Sequence, residues 1–295
     1  MSSTVSESTF RSRLDRARAE MARTGVDALI LSLGHDLPYL TGYSAMPLER
    51  LTMLVVPREG DASLIIPRLE APRVTEMPSV FSLATWNETD DPVALAHKLL
   101  GSARTIAVGD QMWSRFLVDL LKFRPDAKYV RSVVVMEALR SRKDAAEIAA
   151  LVAAGAAADR VAAQLHAGDI PLVGRTEAQV SADISARLIA EGHQVVNFAI
   201  VAAGENAASP HHHAGDRVIK HGEIVLCDFG GTMNDYCSDI TRCVHIGEPP
   251  SDITEAYNVL FESQAAGVAA GLIGSSCAGV DAASRGVIDA AGFGE

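Results

Sequence analysis

The sequence has no lysine- and arginine-rich run and no basic excess: it carries 26 basic against 37 acidic side chains, a formal net charge of -11. A protein that tracks a phosphate backbone needs the opposite balance, so nucleic acid is excluded as a partner. No secretory leader is expected, because MSSTVSESTFRSRL has no apolar core. Long uninterrupted apolar runs are absent. The most alanine-rich stretch, Ala145 to Leu165, is broken by Asp159 and Arg160, so no membrane is expected as a partner and a cytoplasmic location is. Cysteine is scarce. Cys227, Cys237, Cys243 and Cys277 form no C-x-x-C pair and no disulfide-framework spacing, which favours buried reduced thiols over a zinc site.

What is present suffices for a folded protein of two domains: 295 residues, 48% hydrophobic and 21% charged. Residues 1–8 are polar and read as a disordered tail. Phe10, Leu14, Ala17 and Met21 then recur at helical spacing up to Gly25, a helix terminator. Strands are expected at 27–33, 51–56, 62–65, 105–108 and 128–135, with helices at 68–74, 92–100 and 114–122 between some of them. Such alternation describes an α/β layer. His35 and Trp113 read as structural residues.

A charged run from Met136 to Lys143 opens a helix from Asp144 to about His166, which places a domain boundary near residue 141. Thr176-Glu-Ala-Gln179 reads as a capping box for a helix with Val180, Ile184 and Leu188 on one face, closed by Gly192. Gln194 to Ala203 alternates too little to face water and reads as a central strand. Two last helices are expected, one from Ser251 to about Leu272 with Ile253, Tyr257, Leu260 and Phe261 at core spacing, the other from Val280 to Ala291.

Ahead of these two helices, Glu223 to Ile246 has a hairpin signature. If its turn centres on Met233 and Asn234, Asp228 and Asp239 oppose each other directly; if on Asn234 and Asp235, they become diagonal neighbours. Either two-residue loop puts both carboxylates on one face. Like charges at that spacing repel, and a divalent cation between them would turn repulsion into coordination. The plainer alternative is a polar hairpin whose aspartates face water or cap turns.

Asp228-Phe-Gly followed by Tyr236-Cys-Ser-Asp239-Ile-Thr-Arg242 resembles the signature of the pita-bread metallopeptidases, most closely the prolidase and Xaa-Pro aminopeptidase branch. Gly204-Glu-Asn-Ala-Ala-Ser-Pro-His211 is similar to that family's segment bearing an active-site histidine, and Leu37-Pro-Tyr-Leu-Thr-Gly-Tyr43 to a segment of its N-terminal domains. The resemblance implies an α/β creatinase/prolidase-type domain over residues 9–141 and an α+β pita-bread catalytic domain over 142–295. It implies Asp228 and Asp239 as metal ligands and His211 as the residue that hydrogen-bonds substrate and the tetrahedral species. His212 and His213 lack that match, and adjacent residues on an extended chain point apart, so the three histidines cannot serve one ion.

The implied cofactor is a pair of divalent ions, Mn²⁺ foremost with Co²⁺ or Zn²⁺ as substitutes. The implied substrate is a small peptide, the bond cut is the one before proline, and the assembly is a homodimer. The family's remaining ligands, a histidine and two glutamates, lie beyond the point where this sequence stops, and a truncated catalytic domain is the expectation. Two rivals share the fold: a creatinase-like C–N hydrolase that works without metal, against which Asp228 and Asp239 argue, and a non-catalytic binding module. Methionine aminopeptidase is a poorer match, because it lacks the N-terminal domain.

Overall fold

Ser6 sets the start of the first helix: its side chain accepts the backbone N–H of Thr9. In the computed structural model, which describes residues 5–294, α1 accordingly runs Glu7–Thr24. Gly25 ends it in the left-handed region, at φ 70°. The tail expected over 1–8 is therefore corrected: residues 1–4 lie outside the described residues, and Glu7 and Ser8 are already helical. Phe10, Leu14, Ala17 and Met21 form the buried face, as the spacing predicts.

The first compact unit, residues 1–148, continues with β1 (Ala28–Leu31), α2 (Asp36–Thr41), β2 (Met53–Pro57), β3 (Ala62–Pro67), β4 (Phe81–Trp86), α3 (Pro92–Leu99), β5 (Thr105–Val108), α4 (Ser114–Phe123), β6 (Lys128–Arg131) and α5 (Val133–Arg140). Its sheet has the order β4-β3-β2-β1-β5-β6. β1 is buried on both faces, Leu29 and Leu31 in one apolar cluster, Ala28 and Ile30 in another, which is why its sequence reads as an unbroken apolar run.

Three local readings are corrected here. β4 was not expected, its alternation being weak. The helix expected at 68–74 shrinks to a 3₁₀ turn, Ala71–Arg73. The strand expected at 128–135 stops at Arg131, and Val133, Val134 and Val135 pass into α5, whose Val135, Met136 and Leu139 are buried in the same cluster as the α1 face. Packing there outweighs the β preference of branched side chains.

The second unit, residues 149–295, contains most of α6 (Ala145–Ala167), then α7 (Glu177–Ala190), β7 (Val195–Ala203), β8 (Ile224–Met233), β9 (Tyr236–Cys237), β10 (Ile240–His245), α8 (Ser251–Ala270) and α9 (Cys277–Ala290). By length and composition α6 could cross a membrane, contrary to the expectation that Asp159 and Arg160 rule this out. A third of its apolar window, 33%, is buried, and Ala158, Val161, Ala162 and Leu165 join Val180, Ile184 and Leu188 of α7 in a core against the sheet. The sheet has the order β10-β8-β7, with β9 paired to β8. Among the described residues β7 pairs only with β8 and is an edge strand, not the central one expected.

The pattern on α8 also misled. Tyr257, Leu260 and Phe261 are 47%, 52% and 65% exposed. The helix packs instead through small residues: Ser263 and Ser284 each donate a hydroxyl to the other's carbonyl at 2.9 Å.

Candidate active site

Asn234 and Asp235 both adopt left-handed backbone, at φ 50° and 68°, the conformation a type I′ two-residue turn demands and one that Asn and Asp tolerate. That turn pairs Met233 with Tyr236 and Thr232 with Cys237. After a break at Ser238 and Asp239 the same register resumes, Phe229 with Ile240 and Asp228 with Thr241. Of the two registers open from the sequence, the structure has the diagonal one: Asp239 lies across from Gly230, two positions from the partner of Asp228, on the same face. Such diagonal neighbours have Cα atoms about 7–8 Å apart.

The other face is the core. Val225, Cys227 and Phe229 of β8 and Val201 and Ala203 of β7 pack in the cluster formed with α6 and α7. Leu226 and Asp228 alternate with them and are half-buried, so the carboxylates occupy the face these helices leave open. Thr241 donates its hydroxyl to Oδ1 of Asp228 at 2.8 Å. No ion pair or side-chain hydrogen bond engages Asp239 among the described residues, and neither aspartate is paired with arginine; Arg242 points toward Asp159 at 4.0 Å.

The break beside Asp239 is held by groups that sequence reasoning missed. Ser238 Oγ accepts the N–H of Gly231 at 3.2 Å and lies 2.8 Å from Nε2 of His193, both side chains buried. His193 Nδ1 is 3.1 Å from the carbonyl of Leu188. A carbonyl only accepts, so Nδ1 carries a proton. The glycines are required: a Cβ on Gly230 would collide with the carbonyl of Ser238, and one on Gly231 would lie 2.5 Å from that of Val195 and 2.8 Å from the His193 ring.

His211 sits apart, exposed in the loop after β7. Among the described residues it joins no cluster with Asp228 and Asp239; no three His, Cys, Asp or Glu side chains gather closely enough to hold a metal. The histidine built into the fold is His212, whose Nε2 meets Oε2 of Glu177 at 2.7 Å. Glu177, 0% exposed, also accepts from the N–H of Ala203 at 2.8 Å, Asn206 Nδ2 at 3.0 Å and the N–H of Gly215 at 3.4 Å. Burial pushes its pKa up, and these hydrogen bonds overcome that and hold it below the ordinary value. The capping box expected at Thr176 and Gln179 is present, but nothing in its pattern signals that Glu177 within it is buried.

Arg217 clamps the far side of this loop, reaching Glu205 at 2.7 Å and Glu223 at 2.8 Å. Its hydrogen bonds, opposed by burial and aided by the N–H of Lys220, lower the Glu223 pKa to about 2. Of the cysteines, all free, only Cys227 is fully buried, its thiol pushed up to about 12 by burial and by neighbouring Cys243. Cys237 and Cys277 are exposed, which corrects the expectation of buried thiols: one ends β9 beside the turn and the other starts α9.

Carboxylate oxygens are the donors that hard divalent cations take, and Asp228 and Asp239 on one open face fit that role at two ligand positions. Comparison with known proteins agrees in kind. Residues 143–295 match the model of metallopeptidase family M24, whose members use divalent metals, and residues 13–142 match the creatinase/prolidase N-terminal domain. A probable dipeptidase PepE of Mycobacterium bovis is 40% identical over 294 residues, covering 97% of this chain and 77% of the relative. The crystal structure of dipeptidase PepE from Mycobacterium ulcerans superposes with a TM-score of 0.88 at 38% identity, covering 98% of this chain and 78% of that one. Recombinant prolidase from Thermococcus sibiricus gives 0.86 at 26% identity, covering 97% and 78%. The truncation expected from the sequence receives no support from these matches.

Proposed function

The chain belongs to metallopeptidase family M24, and on that premise we propose that it hydrolyses the peptide bond before proline, in Xaa-Pro dipeptides or at peptide N-termini. The observation that carries this reading is the pair Asp228 and Asp239, set diagonally on the open face of the hairpin sheet. Relatives named dipeptidase and prolidase support the substrate class.

Two divalent ions, Mn²⁺ foremost and Co²⁺ or Zn²⁺ as substitutes, are the proposed cofactor, held in part by these aspartates. When bound, such a pair supplies Lewis acidity, lowering the pKa of a water and polarising the scissile carbonyl. The protein's own contributions are positional. Thr241 steadies Asp228 through Oδ1, while Oδ2 has no protein donor among the described residues. His211, exposed, donates a hydrogen bond to a substrate oxygen and supports the charge that grows there. A cytoplasmic homodimer completes the proposal, on the family resemblance.

The test is hydrolysis of Ala-Pro against Ala-Ala, with added Mn²⁺ and after chelation. Metal-dependent cleavage that prefers Ala-Pro supports the proposal, and its absence defeats it. A second reading, a non-catalytic peptide-binding module, draws on the two-carboxylate ligand set among the described residues; calorimetric binding of Ala-Pro without turnover would select it.

A further inference from the structure

We propose that Glu177 and His212 form a positioning pair for His211, fixing the loop that presents it; this rests on the reading of His211 as the residue that meets substrate. A carboxylate taken wholly out of water costs several kcal/mol unless its oxygens are hydrogen-bonded. Glu177 is 0% exposed and meets four donors. The placement of those donors carries the inference. Ala203 and Asn206 precede His211, and His212 and Gly215 follow it, so one carboxylate grips both arms of a loop whose apex, Ser209 to His211, is exposed.

The backbone of α7 repeats the grip. The N–H of Glu177 donates to Arg217 O and the N–H of Ala178 to Gly215 O, each at 3.0 Å, while the helix N-terminus favours the negative charge. A stretch needed only to join β7 to β8 would have no use for a buried charge. Here the charge ties down the residue next to His211: His212 faces inward onto Glu177, half-buried, and leaves its neighbour exposed.

The experiment compares His212→Ala with His212→Gln, which retains an N–H donor for Glu177, each alone and combined with His211→Ala. Two readouts are taken: Ala-Pro turnover with Mn²⁺, and the His211 imidazole resonances in the substrate-free protein. The expected results are a kcat reduced at least tenfold in His212→Ala with KM changed less than threefold, recovery in His212→Gln, and no further loss when His212→Ala is added to His211→Ala. The His211 resonances should move in His212→Ala and return in His212→Gln. Losses that add in the double variant, or His211 resonances that stay in place, overturn the pairing. A wild-type protein without turnover defeats the functional reading alone, since the resonances decide the pairing by themselves.

Discussion

His193 Nε2 and Ser238 Oγ lie 2.8 Å apart in the sequence-distant join between the end of α7 and the gap in the β8–β10 ladder. The residue after Ser238 is Asp239, so this buried bond sets where the second carboxylate leaves the sheet. Ser238→Ala strips a partner from His193 Nε2 and from the N–H of Gly231 at once. The expected cost is about 1–3 kcal/mol for the buried groups left unpaired, read as a lower urea midpoint. A midpoint equal to wild type would show that the bond is not holding the break.

Thr241 touches no substrate in this arrangement, yet its hydroxyl orients Asp228. Removing such an orienting hydrogen bond typically weakens metal affinity or activity about 10–100-fold. Thr241→Val should therefore weaken Mn²⁺ binding by that order in titration calorimetry, and Thr241→Ser should retain most of it. Equal losses in both would show that the hydroxyl bond to Asp228 is not what Mn²⁺ binding depends on.

The Arg217 clamp predicts a pH dependence. The Glu223 carboxyl drops from its ordinary 4.5 to about 2 when folded, chiefly through hydrogen bonds from Arg217. A depressed folded pKa contributes stability that is fully present above 4.5 and is lost as pH falls toward about 2. Urea midpoints measured across that window should fall less steeply for Glu223→Gln than for wild type. Parallel curves would refute the assignment.

Thiol chemistry separates three of the four cysteines. Exposed Cys237 and Cys277 should be alkylated by iodoacetamide in the native protein, and buried Cys227, its thiol pushed up to about 12, should react only after unfolding. Mass-mapped labelling checks the order, and early modification of Cys227 would mean that the hairpin core opens readily.

The hairpin was legible because parity alone puts Asp228 and Asp239 on one face with any two-residue loop, and the helix of α7 because its capping box and apolar stripe are both local. Register was not legible: Met233-Asn234 and Asn234-Asp235 serve equally as turn centres on paper, and the choice rests on two successive left-handed residues. Glu177 escaped notice because its surroundings come from residues 26 to 38 positions away, and the capping motif already accounted for the segment. The aromatic stripe on α8 reveals an amphipathic helix but not the partner it packs on, and the contact through Ser263 and Ser284 has no apolar signal at all. Long-range closure, in each case, was the missing information.

The two-residue turn at Asn234 and Asp235 also makes loop length a discrete variable. Substituting either tip residue with glycine leaves the arithmetic of the strands untouched. Inserting one residue while the loop stays at two would instead shift every later side chain of the hairpin by a half period, sending Asp239 toward the apolar interior and Ile240 out to water. The tip can therefore drift in chemistry, but its size is counted in whole pairs.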